Sequence, residues 1–342
     1  MSAALTATPP RITRGVAVLI VGVVVLAAAV LTSLMVGARP VAPGVVIQAL
    51  VNPDLGLGDH IVVVTQRLPR TVIGLLAGAA LAVAGGLMQG LTRNPLADPG
   101  LLGVNAGASV AVLIAITALG IVHPAGFVWF AFGGAALAAV LVSAIGSAGR
   151  DGASPAKLAL TGAALTAGLT SVAMFVLTTN QAALNTYRFW SVGSLTGRGL
   201  DTALALAPVI LVGIVLALVS GVGLNLLALG DDTARGLGHS VGRTRVLGIA
   251  TVVMLCGSAT AIAGPLVFVG LVVPHVVRAL VGTDYRWILA ASAPLGGALL
   301  LFADVIGRVI AEPSEVEAGL VVAFIGAPVL MALVLRRKAV AL

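Results

Sequence analysis

Long apolar stretches separated by short polar connections run through almost the whole chain. A transmembrane helix needs about 20 predominantly apolar residues, and ten stretches of the sequence approach or exceed that length. They cover residues 16–36, 70–91, 102–121, 126–147, 157–178, 203–221, 246–264, 266–282, 288–307 and 319–335. The pattern predicts an all-α polytopic membrane protein of about ten transmembrane helices in a single domain, 1–342. The first stretch exceeds the roughly 7 to 15 apolar residues of a signal peptide, so we expect it to be a retained helix.

The Lys and Arg residues of the connections predict how these helices are oriented. Connections on the side of the N-terminus carry thirteen of them, and connections on the opposite side carry six. Because cytoplasmic loops are enriched in Lys and Arg, we expect both termini to lie in the cytoplasm. The stretch 266–282 is short enough to be a re-entrant helix, which would reverse every later assignment.

The second predicted helix carries small residues at a regular spacing. They occupy every fourth position, namely Gly74, Gly78, Ala82, Gly86 and Gly90. One side of this helix is therefore nearly bare backbone, which lets another helix approach closely in a membrane. We expect this helix to pack inside the bundle.

The turn after this helix contains two prolines and cannot continue it. Asp98 followed by Pro99 fits the N-cap and the first-turn position of the next transmembrane helix. We expect the turn, 94–100, to have a structural role, with a part in gating as the alternative.

Composition agrees with a membrane protein. The 342 residues are 59% hydrophobic and only 9% charged, whereas about a quarter of the residues in soluble domains are charged. The net charge of +7 comes from basic residues that flank apolar stretches, so we do not expect nucleic-acid binding. Cys256 is the only cysteine, which excludes an intrachain disulfide and a Cys-based metal cluster.

The longest connection on the inner side covers residues 223–245. Asp231 or Asp232 can cap a short helix there, and Gly238 can end it in the left-handed conformation. A short capped helix outside the membrane suggests a site where another protein docks. An amphipathic loop that rests on the lipid headgroups is the alternative.

Missing motifs narrow the mechanism. Neither lysine, Lys157 or Lys338, follows a glycine, so the chain lacks the phosphate-binding loop of ATPases. No HExxH, GxSxG or paired-carboxylate motif occurs on a predicted helix face either, so we do not expect an enzyme. An ion-coupled carrier is expected to hold ionisable groups near the membrane midplane, but Asp304 and Arg308 lie near a helix end, where they can form an ion pair. Secondary transport stays open as an alternative, as does a membrane protein that only binds or scaffolds.

Several motifs resemble those of one transporter family. In chain order they are RLPR at 67–70, LTRNPLADPGLLGVNAGAS at 91–109, RFWSVGSL at 188–195, GDDTARGLG at 230–238, LCGSATAIAGPLVFVGLVVPH at 255–275, LLLFADVIGRVI at 299–310 and FIGAPVL at 324–330. The chain resembles the permease subunit of type II ABC importers, which import iron siderophores, haem and cobalamin. Within that family the sequence is most similar to the ferric-enterobactin permeases.

The resemblance implies a complete assembly in the cytoplasmic membrane. Two permease subunits, two cytoplasmic ATPases that bind ATP and magnesium, and an external substrate-binding protein would work together. Two different permease chains are favoured over two copies of one. The cargo would be an intact ferric siderophore, with cobalamin and haem as alternatives, and no cofactor or metal is expected in this chain.

The resemblance also assigns residues. Arg67, Arg70 and Arg308 match arginines that receive acidic residues of the binding protein. The coupling helix, which contacts the ATPase, would comprise Asp231, Asp232, Thr233, Ala234, Arg235, Gly236, Leu237 and Gly238. The translocation pathway would be lined by the fifth helix through Thr161, Gly162, Thr166, Gly168, Thr170 and Ser171.

Overall fold

The fold was analysed in a computed structural model that describes residues 11–147, 155–312 and 314–340. These residues form helices joined by turns and short irregular connections, without a strand among them. The longer helices are α1 (Arg11–Met35), α4 (Leu68–Thr92), α5 (Val104–Leu119), α6 (Pro124–Ser147), α7 (Pro155–Thr179), α9 (Leu200–Ala228), α11 (Val241–Ala263), α12 (Val269–Val281), α13 (Tyr285–Ile310) and α14 (Ala318–Val340). Shorter ones are α2 (Pro43–Val51), α3 (Gly58–Ile61), α8 (Gln181–Ser191) and α10 (Asp231–Gly236), with a π-helical segment at Val62–Arg67 and a 3₁₀ turn at Pro99–Leu102.

The ten predicted spans each fall on one of the ten longer helices. Seven helices of the described chain are long and apolar enough to cross a membrane, and three shorter apolar helices are α5, α12 and part of α14. The all-helical membrane class is therefore confirmed, while the count of ten crossings and the orientation stay predictions. Following that orientation, we call the end of the bundle with α10 the inner end and the opposite end the outer end.

Helix α4 forms the centre of the bundle. Nearly all of its residues are buried, and it packs along α13, α11, α9 and α12. The close approach to α13 depends on glycine, because a Cβ built on Gly78 would lie 2.3 Å from the carbonyl oxygen of Gly296. Gly74, Gly86 and Gly90 likewise face side chains of other elements. The small-residue face of α4 thus lies against its neighbours.

Helix α12 is short because irregular backbone precedes it. Its 13 residues rise about 20 Å, less than the roughly 30 Å of a hydrocarbon core. At one end of this segment Gly264 lies against the carbonyl oxygen of Trp190 in α8, at the outer end. At the other end Arg278 donates to Gln89 near the inner end of α4. The segment 264–281 therefore extends between the two ends of the bundle, which favours a crossing over a re-entrant helix.

Helix occupies both ends of the predicted connection 223–245. α9 continues to Ala228 and α11 begins at Val241, while the bounds of the connection relative to the membrane stay a prediction. The extra turns of α9 are helical because Leu224 and Leu227 bury their side chains almost completely in the core.

The N-cap predicted for the helix after the turn 94–100 was wrong. Asp98 accepts a hydrogen bond from the backbone N–H of Gly100, but the turn it caps is the 3₁₀ turn Pro99–Leu102 and not the transmembrane helix. Gly103, with φ of 71°, separates that turn from α5. A left-handed residue ends a helical segment, so the cap and the long helix are distinct elements.

Candidate functional site

A buried network of charged side chains lies at the outer end. Arg70 of α4 donates to Asp304 Oδ1 of α13 at 2.7 Å and to Glu315 Oε2 at 2.7 Å. Arg308, one turn after Asp304, binds its other carboxylate oxygen, Oδ2. The predicted pair of Asp304 and Arg308 is thus confirmed, and it belongs to a larger group that ties α4 to α13.

Backbone oxygens at the end of α1 complete this network. Arg308 donates to the carbonyl oxygen of Ser33 at 2.7 Å, and Arg67 donates to that of Leu34 at 2.8 Å and to that of Arg39. Only 2% of Arg308 and 5% of Arg67 is exposed. The arginines predicted to dock a binding protein therefore already have acceptors within the chain, and their docking role stays a prediction.

Other cations are exposed at the outer end. Arg39 pairs with Asp59 at 3.0 Å and keeps 70% of its side chain exposed. Arg188 of α8 is exposed and lies 4.7 Å over the ring of Phe189. The sequence motifs did not single out Arg39, because a lone arginine in a connection carries no distinctive spacing.

At the inner end, one carboxylate holds the short helix α10 against the bundle. Asp231 pairs with Arg245 of α11 at 2.9 Å and with Arg93, the residue that follows α4. Gly230 occupies the N-cap position and no side chain caps the helix, so the capping role predicted for Asp231 or Asp232 is wrong. The carboxylate of Asp231 binds two guanidinium groups instead.

The outward side of α10 is available to a partner. Asp232 and Arg235 form an exposed pair at 3.2 Å, and Leu237 is 62% exposed. Ala234 is fully buried, so it packs α10 onto the rest of the chain. Gly238 has φ of 78° and reverses the chain beyond the helix, as predicted.

A groove of about 490 Å³ lies beside α10, between the end of α9 and the connection from α12 to α13. Asn225 donates to Asp284 Oδ1 at 2.7 Å and accepts from the backbone N–H of Tyr285 at 2.8 Å. Arg286, which donates to the Asp284 carboxylate, lowers the pKa of Asp284 to about 2. These contacts fix α9 to the start of α13, and sequence reasoning missed them because the residues are about sixty positions apart.

Helix α7 presents most of its surface outside the chain. Only 11% of its most apolar stretch is buried within the chain. Gly168, Thr170 and Ser171 are exposed. Thr161 and Thr166 are half-buried. Gly162 is different, because a Cβ there would lie 1.7 Å from the carbonyl oxygen of Leu101, so this residue faces the bundle and not an open surface.

Close backbone approaches also occur where no role was predicted. A Cβ on Gly85 of α4 would lie 1.8 Å from the carbonyl oxygen of Gly270 at the start of α12. The Gly85-Gly86 doublet was the available signal, but a strict four-residue spacing passes over Gly85. At 3.6 residues per turn Gly85 points in nearly the same direction as Gly74 and Gly78, so the close contact with α12 belongs to the predicted small-residue face.

A bundle of long apolar helices with charged groups gathered at both ends is the architecture of a multi-pass membrane protein. The sequence model of the FecCD transport family matches residues 24–336, so the chain belongs to this family. Members are permease subunits of ABC importers, which have no catalytic activity and work with a separate ATPase and a substrate-binding partner. The resemblance inferred from the motifs is confirmed.

Individual relatives are similar over most of the chain. Ferric enterobactin transport system permease protein FepD of Escherichia coli is 48% identical over 307 residues, which cover 90% of this chain and 91% of the relative. YfiZ of Bacillus subtilis, named for siderophore transport, is 44% identical over 80% of this chain and 82% of its own length. A solved inward-facing metal-chelate type ABC transporter has a TM-score of 0.80 and 26% identity, with 94% of this chain and 99% of that chain covered.

Other relatives differ in their named cargo. They are permeases for Fe(3+)-citrate, iron(3+)-hydroxamate, cobalamin and haemin. Family membership therefore identifies the type of transporter but does not identify its substrate.

Proposed function

We propose that this chain imports an intact ferric siderophore of the catecholate type across the cytoplasmic membrane. The observation that carries the proposal is the 48% identity, over nine tenths of the chain, to a permease named for ferric enterobactin. Cobalamin and haem are the alternative cargoes, because permeases named for them are also similar.

The proposed assembly contains two permease subunits, two ATPases that bind ATP and magnesium, and an external binding protein. We favour a second, different permease chain as the partner. The pathway is proposed to run between the two subunits along the exposed surface of α7, since only 11% of the apolar part of this helix is buried within the chain. Its exposed positions include the small or hydroxylated residues Gly168, Thr170 and Ser171, which suit the passage of a bulky chelate without tight binding.

Helix α10 is proposed to transmit the motion of the ATPase. Its exposed side, with Arg235 and Leu237, would contact the ATPase, while Asp231 connects it to Arg93 after α4 and to Arg245 on α11. A displacement of α10 would then act on both helices. Because α4 packs along α13, the movement reaches the charged network at the outer end, and the bundle alternates between two openings.

Binding-protein docking is proposed to use Arg67, Arg70 and Arg308. Arginine suits this role because its planar guanidinium binds carboxylates in bidentate fashion. Within the network, Glu315 is the acidic partner with an accessible side chain, 37% exposed, whereas Asp304 is 1% exposed. An acidic residue of the binding protein would therefore replace Glu315 on Arg70.

Reconstituted transport tests this function. The chain, its partner permease and the ATPase are placed in liposomes, and uptake is measured with loaded binding protein, ATP and a protonophore. Uptake of a ferric catecholate that needs ATP and survives the protonophore supports the proposal. Uptake that is independent of ATP and abolished by the protonophore would favour a secondary carrier. Preferential uptake of cobalamin or haem would overturn the proposal that the substrate is a ferric siderophore.

A further inference from the structure

A small cavity at the outer end has no role in the pathway described above. It encloses about 300 Å³ between α8, the connection 192–199 and the start of α6. Its walls include Phe127, Phe189, Trp190, Ser194, Thr196 and Arg198. Aromatic rings thus stand beside hydroxyl groups and a guanidinium, which is the mixture found in sites for small molecules.

The indole of Trp190 forms a buried part of the cavity wall. Trp190 is 3% exposed, and Tyr187 holds the ring from one side, with ring centroids 5.7 Å apart. Its Nε1 is screened from solvent, so this residue contributes the apolar ring to the cavity and not the N–H group.

The cavity also contains a buried cation. Arg198 is 8% exposed and donates to the carbonyl oxygen of Ile262. The described part of the chain places no carboxylate at ion-pair distance from Arg198, and Glu317 acts on it only from farther away. Burial lowers the pKa of Arg198 to about 10, so the side chain keeps its charge at neutral pH. Because no carboxylate pairs directly with this buried charge, a bound anion would stabilise it.

The hydroxyl groups of Ser194 and Thr196 are held in place by hydrogen bonds within the connection 192–199. Ser194 Oγ and Thr196 Oγ1 lie 2.6 Å apart, and the backbone N–H of Thr196 donates to Ser194 Oγ at 3.0 Å. Gly193 and Gly197 have φ of 76° and 68°, which favours glycine at both positions. The connection is therefore a folded turn that presents polar groups beside the aromatic rings.

We propose that this cavity binds one aromatic ring that carries anionic oxygen atoms, such as a catecholate or an aromatic carboxylate. The guanidinium of Arg198 and the hydroxyl pair of Ser194 and Thr196 supply donors to the oxygens. Phe127, Phe189 and the ring of Trp190 supply apolar contact. A volume of about 300 Å³ suits a single substituted ring and is too small for a complete siderophore. If the ring is an arm of the transported chelate, this inference rests on the proposed function. Binding of a free aromatic acid to the cavity does not depend on that function.

The test begins with free ligands and the purified chain in lipid nanodiscs. Calorimetric titration with 2,3-dihydroxybenzoate should give saturable binding, while acetate, which lacks a ring, and benzyl alcohol, which lacks a charge, should bind at least tenfold more weakly. Arg198→Gln should weaken binding of 2,3-dihydroxybenzoate at least tenfold, and Trp190→Phe severalfold. Trp129→Phe is the matched control, because Trp129 is 51% exposed on α6 outside the cavity, and it should bind like the unmodified chain.

Further variants keep the outcome interpretable. Arg198→Lys retains the charge and should retain most of the binding, and thermal melting identifies variants that have lost their fold. If Arg198→Gln does not fold, Ser194→Ala and Trp190→Phe carry the test. Absence of saturable binding, or equal binding by folded variants of the cavity and by Trp129→Phe, would overturn the site.

Uptake measurements separate the origin of the ring from the function of the chain. If the ring belongs to the cargo, Trp190→Phe should lower uptake of a ferric catecholate severalfold without changing uptake of a ferric hydroxamate. Binding of the free ring with unchanged catecholate uptake would overturn the link to the chelate and identify a separate aromatic acid as the ligand. Normal uptake without ring binding would reject this site and leave the proposed function intact.

Discussion

The contact between α4 and α13 allows one substitution to be worked through in detail. Gly78→Ala adds a single methyl group where its carbon would lie 2.3 Å from the carbonyl oxygen of Gly296 and 2.9 Å from the Cα of Gly297. Both neighbours are backbone atoms, so no side chain can rotate away. The two helices must separate by about 1 Å to reach an ordinary contact distance of 3.4 Å.

The free energy follows from two opposing terms. Overpacking of a well-packed contact destabilises by about 1–3 kcal/mol. Replacing glycine by alanine inside a helix contributes about 0.5–1 kcal/mol in the favourable direction. Gly133→Ala in α6 carries only the second term, because nothing lies within 4 Å of a Cβ at that position. We therefore expect Gly78→Ala to be about 1–3 kcal/mol less stable than Gly133→Ala.

Unfolding of the purified chain in mixed micelles, followed by circular dichroism against denaturing detergent, measures this difference. The comparison between two identical chemical changes removes the effect of helix propensity. Gly168→Ala in α7, which also has open space around its Cβ, is a second control and should behave like Gly133→Ala. Equal stability of the three variants would refute the close packing of α4 on α13.

Three other perturbations have defined outcomes. Asp304→Ala leaves two buried arginines without their shared carboxylate and should destabilise the chain by about 3–5 kcal/mol in the same unfolding assay. The control Asp232→Ala removes an exposed carboxylate and should not change stability. Equal stability of the two variants would contradict the buried network. Asp231→Asn should leave the ATPase bound but reduce ATP-driven uptake severalfold, whereas the control Asp201→Asn, at the start of α9, should not. Normal uptake by Asp231→Asn would exclude transmission through this carboxylate. The pKa of Asp284 is lowered to about 2 from 3.8, so its contribution to stability is complete above about pH 4 and is lost as the pH falls toward 2. Asp284→Asn should therefore flatten the dependence of the unfolding free energy on pH in this range. An unchanged slope would show that another group is responsible.

The sequence predicted those features that depend on local pattern. Apolar stretches located all ten long helices, since the length needed to cross a bilayer is a property of consecutive residues. The four-residue spacing in α4 indicated a close helix contact for the same reason. Asp304 and Arg308 were paired correctly because one helical turn separates them.

Features that depend on the folded arrangement could not be predicted. Arg70 and Asp304 are separated by 234 residues, and no local pattern relates them. The residues of the proposed aromatic site likewise come from α6, α8 and the following connection. The short helix near Asp231 was expected, but its role in binding two distant arginines required the arrangement of α4, α10 and α11.

The distance along the chain between Arg70 and its partners has a consequence for biosynthesis. At about 5–20 residues per second, Asp304 is synthesised roughly 10 to 50 s after Arg70. Throughout that interval α4 contains an arginine whose carboxylates do not yet exist, so its final position in the bilayer is reached only after α13 has emerged from the ribosome. A nascent chain that ends before residue 304 leaves this arginine without either carboxylate, so its unpaired charge opposes burial of α4 until α13 is in place.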